Sequence, residues 1–101
     1  MNLNMMKQAL ELRSKLERAK KELGKMTVEA EAGKGAVRVT ASGDQRIISI
    51  KIAPEAVNPG KVGDLEKLVF KAVNDALEES RKMAAEEMKK LTGGLNIPGL
   101  T

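Results

Sequence analysis

The apolar residues of this chain change their spacing twice, and that double change limits what it can fold into. Met5, Ala9, Leu12, Leu16, Ala19 and Leu23 recur in alternating steps of four and three, which lines one face of a helix. Gly24 follows as a stop signal. Between 27 and 52 the period falls to two. Val28, Ala30 and Ala32 alternate with Thr27, Glu29 and Glu31; Val37, Val39 and Ala41 alternate with Arg38 and Thr40; Ile48, Ile50 and Ile52 follow. GKG at 33–35 and SGD at 42–44 are turn chemistry, so this region reads as a three-stranded antiparallel meander with one apolar face. Pro54, Pro59, Gly60 and Gly63 mark a loop with one short turn. From Asp64, read as an N-cap, the helical spacing returns through Leu65, Leu68, Val69, Ala72, Val73, Ala76, Leu77, Met83, Ala84 and Leu91. It stops at Thr92-Gly93-Gly94, a C-cap signature.

The expectation is a single α+β domain over 1–101: a long N-terminal helix at about 3–24, strands within 26–53, a long C-terminal helix at about 64–92, and a short apolar tail at 93–101. A chain of 101 residues supports one modest core. With one Phe and no Tyr or Trp, that core must be aliphatic. Lengths then matter. A helix over 64–92 is about 43 Å long at 1.5 Å per residue, and a seven-residue strand about 23 Å. The helices overhang the sheet, and their far ends project together as an antiparallel pair. Their apolar stripes and the open sheet edges need cover. A second copy of the chain supplies it most simply, so a homodimer is expected.

Charge is uneven along the chain. The net charge is +4, and the first 25 residues already hold seven cations against Glu11, Glu17 and Glu22. At 100° per residue, Lys7, Arg18, Lys21 and Lys25 fall opposite the apolar seam. A solvated helix face gives the same pattern; its functional reading is a polyanion partner.

Much chemistry is excluded. Without histidine or cysteine, no Ser-His-Asp triad, Cys-His pair, imidazole or thiolate metal site, or disulfide framework can be built. No G-x-x-x-x-G-K-[ST] phosphate loop occurs. Glu78, Glu79, Glu86 and Glu87 alternate with Arg81, Lys82, Lys89 and Lys90, the pattern of a salt-bridged helix surface and not of a metal cluster. No enzyme activity, cofactor, metal or small-molecule substrate is expected. The start MNLNMMK runs into charged helix and nothing approaches a membrane span, which leads to the expectation of a cytoplasmic protein without membrane contact.

Three stretches carry a resemblance: GAVRVTASGDQRIISIKI at 35–52, LEKLVFKAVNDALEESRKM at 65–83 and KLTGGLNIPGL at 90–100. The G-x-V-x-V strand start, the V-N-D-A helix core and the T-G-G-L tail together resemble the YbaB/EbfC family of bacterial nucleoid-associated proteins. The resemblance implies a small cytoplasmic, nucleoid-associated homodimer that binds DNA with little sequence preference. It implies a dimer interface in the central region, DNA contact through the first and last helices, and no cofactor.

The candidate DNA contacts are Lys7, Arg18, Lys21 and Lys25 on the first helix, and Lys67, Lys71, Arg81, Lys82 and Lys89 on the last. Glu78, Glu79 and Glu86 offset the second set. Phosphate contacts give affinity without sequence information; Arg13 or Arg18 are the candidates for reading a base. The lack of aromatic residues argues for double-stranded DNA over single strands or RNA, where bases stack on aromatic rings. Asn74 and Asp75 are poor helix formers in mid-helix. Asn74, beside Phe70 at the edge of the apolar stripe, is expected to satisfy a backbone group on the sheet or a partner. The competing class is a helical protein–protein adaptor whose cations serve solubility.

Overall fold

The structure, a computed structural model, describes residues 2–91. Helix α1 (Leu3–Lys25) leads into strands β1 (Thr27–Ala32), β2 (Val37–Ser42) and β3 (Ile47–Ile52). Two short 3-10 turns, Pro54–Ala56 and Pro59–Lys61, then lead to helix α2 (Val62–Leu91). The sheet order is β1-β2-β3, antiparallel throughout. The sequence expectation of a helix, a meander and a long helix is met. The Thr92-Gly93-Gly94 stop and the apolar tail lie outside the described residues.

Two helix boundaries differ from expectation. Gly24 stays helical, and α1 runs on to Lys25; Met26, with an extended backbone (φ −87, ψ 148), caps it and leads into β1. No left-handed residue is needed there, because the chain passes straight from helix to strand. Asn2 caps the other end of α1, its side chain accepting from the Met5 N–H at 2.9 Å. Asp64 is not the N-cap of α2. The Pro59–Lys61 turn, with the Asn58 side chain accepting from the Gly60 N–H at 2.9 Å, runs directly into the helix at Val62. Asp64 therefore sits inside the first turn, where its charge faces the positive end of the helix dipole.

The core lies between α2 and the sheet. Val37, Val39 and Ala41 of β2 and Ala72 and Ala76 of α2 are fully buried, with Ala32 of β1 beside them. The alanines let α2 approach closely. At the first hairpin, Gly33 (φ +64) seats Leu68 so tightly that a Cβ there would lie 2.9 Å from it. The opposite sheet face is polar, with Arg38 of β2 between Glu29 and Glu31 of β1 at 3.8 and 3.7 Å.

Helix α2 lies over β1 and β2 and barely touches β3. The register sets Ile50 opposite Val39 and Ile52 opposite Val37, so both isoleucines belong to the apolar face. They nevertheless stay 45% and 39% exposed. Away from the sheet, the second half of α2 runs antiparallel to α1 as a projecting arm, and the molecule reaches 67 Å in its longest dimension. Only part of the α1 seam is covered there. Leu23 is buried and Leu16 and Ala19 are half-buried, while Met5, Ala9 and Leu12 remain exposed, lying past the level of Leu91.

Candidate nucleic-acid interface

Every candidate cation is exposed, and the arm carries most of them. The apolar side of α1 is fixed by Leu16, Ala19 and Leu23, so Lys7, Arg18, Lys21 and Lys25, on the opposite arc, turn away from that buried seam. Among the described residues, Lys7, Arg18 and Lys21 have no carboxylate in ion-pair range, whereas Lys25 lies 3.8 Å from Glu22 and Arg13 3.3 Å from Glu17. Arg13 also sits outside the basic arc. Its guanidinium is bonded one turn along its own helix, which weakens it as a base reader.

On α2, Lys67, Lys71, Lys82 and Lys89 share one flank, within an arc of roughly 60° at 3.6 residues per turn. Arg81 falls on another flank, with Phe70. Lys71 pairs with Asp75 at 2.7 Å and Lys82 with Glu79 at 3.6 Å; Lys89 is also partnered. Lys67 and Lys71 lie beside the sheet, while Arg81, Lys82 and Lys89 belong to the arm. The ten candidates thus form no single patch. From Lys67 to Leu91 is about 36 Å along α2, and Lys7 lies further out still.

Two cations missed in the sequence join the arm. Lys15, Arg18, Ala19 and Glu22 of α1 face Glu87, Lys90 and Leu91 of α2 across a groove of about 450 Å³. Glu87 holds Lys90 at 3.3 Å, leaving Lys15 and Arg18 as its unpaired cations among the described residues. The signal was present: Lys15 immediately precedes the seam residue Leu16, so it had to flank the helix–helix contact.

For Asn74, the sheet half of the sequence expectation is corrected. Its Nδ2 donates to the carbonyl of Phe70, one turn back in the same helix, at 3.0 Å and exposed to solvent; it satisfies no group on the sheet. Asp75 is taken up by Lys71. The polar pair bonds within its own helix. What surrounds Asn74 is apolar: Val62, Leu65, Val69, Phe70 and Val73, with Glu66, line a groove of about 600 Å³ along α2. Phe70 stands at its rim, 73% exposed.

A small α+β protein with a half-covered sheet and a basic two-helix arm is thereby defined, and the same architecture recurs in a solved structure. An uncharacterized protein from Helicobacter pylori superposes with a TM-score of 0.70 at 20% identity, over 87% of this chain and 97% of that one. The model of the YbaB/EbfC DNA-binding family matches residues 1–95, and the chain belongs to that family. Among similar curated proteins, one from Desulforamulus reducens is 56% identical over 98% of this chain and 95% of its own length. Another, from Moorella thermoacetica, is 48% identical over 97% and 95% respectively. Both are named nucleoid-associated proteins. No helix among the described residues is long and apolar enough to cross a membrane.

Proposed function

We propose that this protein is a nucleoid-associated protein of the bacterial cytoplasm that binds double-stranded DNA as a homodimer, chiefly through phosphates and with little sequence preference. Membership of a DNA-binding family supports the general function. The observation that carries the mechanism is the basic arc of α1, turned away from the buried seam and holding Lys7, Arg18 and Lys21 without competing carboxylates. Such side chains reach phosphate oxygens as point charges or forks. Displacing condensed counterions then supplies the affinity. Base-edge reading calls for bidentate amides or arginines at the groove floor, and the arm offers few of either.

The dimer reading rests on the uncovered apolar surface. Phe70 stands exposed at the rim of the α2 groove, and Ile50 and Ile52 of β3 are left exposed on the apolar face of the sheet. Two copies related by a twofold axis would each offer a Phe70 and a groove to receive it. An aromatic anchor in an apolar slot is the kind of contact that dominates interface energetics. Pairing the copies would also unite two arms on one particle and double the cations facing a duplex.

The second reading, a helical adaptor for another protein, is favoured by one feature. Leu3, Met6 and Leu10 form an exposed apolar stripe at the tip of α1. Titrating two duplexes of unrelated sequence with the protein at low salt separates the readings. Similar, saturable binding of both duplexes is expected for DNA coating or bridging. No binding of either would leave the adaptor.

A further inference from the structure

Ser80 is a hydroxyl in an otherwise small and apolar stripe of α2, and it is completely buried. A helical serine commonly bonds the carbonyl one turn back in its own helix. Ser80 instead donates to the Ser42 carbonyl at 2.6 Å and accepts from the Gln45 N–H at 3.0 Å. Both partners belong to the turn between β2 and β3, where Gln45 adopts a left-handed backbone (φ 65). The same turn grips α1 from its other side. The Gly43 N–H donates to the Met26 carbonyl at 2.9 Å, and a Cβ at Gly43 would lie 2.7 Å from the Leu23 carbonyl oxygen. The Ser42 hydroxyl bonds the Asp44 carboxylate, bracing the turn itself. One hairpin turn therefore holds both helices at the point where the arm leaves the sheet.

We propose that Ser80 is a positioning residue for DNA binding: by tying α2 to the Ser42–Gln45 turn it fixes the direction of the arm, and with it the number of phosphates the arm meets at once. The inference rests on the arm being the DNA-contacting element. Leverage makes the junction matter. From Leu23 to Leu3 the helix extends about 30 Å, so a swing of about 10° at the turn moves the tip about 5 Å. Phosphates follow one another at about 3.4 Å of rise per strand, so such a swing takes tip cations past their partners. Ser80 touches no DNA in this scheme; it acts through the geometry of Lys7, Arg18 and Lys21.

The test has a DNA arm and a DNA-free arm. For a dimer that neutralises about five phosphates, the slope of log binding constant against log salt is about −4.5. Ser80→Ala is expected to bring it to about −2.7, as for three phosphates. Val39→Ala, a core truncation away from the junction, lowers stability but is expected to keep the full slope, because the slope reports contacts per bound particle and not the folded fraction. The chain has no cysteine, so Gln8→Cys and Lys34→Cys can carry a spin-label pair between arm tip and distal hairpin. Diluted into unlabelled protein, that pair is expected to give a narrow distance distribution that Ser80→Ala broadens. Should Ser80→Ala not fold, Gly43→Ala disturbs the same junction from the α1 side and carries both measurements. A wild-type slope together with an unbroadened distance overturns the proposal. Broadening with no DNA binding by the wild type would instead refute the DNA reading, and the positioning role for DNA with it.

Discussion

The two ends of this molecule are built on different principles. At the sheet end, Val37, Val39, Ala41, Ala72 and Ala76 are sealed from water, and small side chains bring helix and sheet into close contact. The arm has only Leu23 fully buried on α1, with Leu16 and Ala19 half-covered. Burial is concentrated at the sheet end, where charges of both signs offset one another, and the excess of cations sits on the sparsely packed arm. Long-range contact with a polyanion asks for projecting cations and little else, so the arm can trade core for reach. The sheet end must then hold the fold, and in the proposed homodimer its uncovered flank also takes the second copy.

The largest effect that could break this division comes from Phe70→Asp. Phe70 is mostly exposed in the protomer, so the variant is expected to fold and to lose dimer affinity by about a hundredfold or more, as for an anchor residue. Sedimentation equilibrium at low micromolar concentration checks it: a particle of about twice the chain mass becomes one of chain mass. An unaltered dimer would place the interface elsewhere. Next comes a paired truncation. Val39→Ala is expected to cost about 2 kcal/mol in chemical denaturation, and Leu12→Ala, on the uncovered seam, less than about 0.5 kcal/mol. Similar costs would mean that the arm shares the core's burden. The smallest effect is expected of Asn74→Leu. The bond it removes is exposed and lies within one helix, so denaturation should shift by no more than about 0.5 kcal/mol in the protomer. A loss of 1–3 kcal/mol, the expected size for orphaning a buried partner, would restore Asn74 to the role the sequence proposed for it.

The order of elements was legible because each period in the chain matches one kind of surface: steps of three and four for helices, two for strands. The excess of helix length over strand length foretold the arm. The boundaries were harder. Gly24 resembles a helix stop, but Met26 turns the chain into β1 without a left-handed residue. Asp64 resembles a cap, but a turn begun at Pro59 had already started the helix. Ser80 escaped notice because periodicity reads apolar residues. The spacing of Ala72, Ala76 and Ser80 by one turn each was the available clue: three small residues in line bring α2 close enough to the sheet for a hydroxyl to reach the hairpin. The charge arc of α1 was readable from spacing alone. Which α2 cations sit on the arm, and which beside the sheet, was not, because that depends on where α1 meets α2. The family relation was carried by the strand and helix motifs, and the family match bears it out.

The central claim is that the basic arc of α1 binds duplex DNA through phosphates, and a salt series on one pair of charge reversals tests it most directly. For the wild type, raising salt from about 50 to 200 mM is expected to weaken binding by several hundredfold, for a slope near −4.5. Lys21→Glu with Lys25→Glu should abolish most binding and flatten the slope while dimer mass and helix content stay unchanged. Lys34→Glu, in the first hairpin turn away from the arm, should do far less. Unaltered binding by the double variant, or equal losses from it and from Lys34→Glu, would contradict the assignment of the interface to α1.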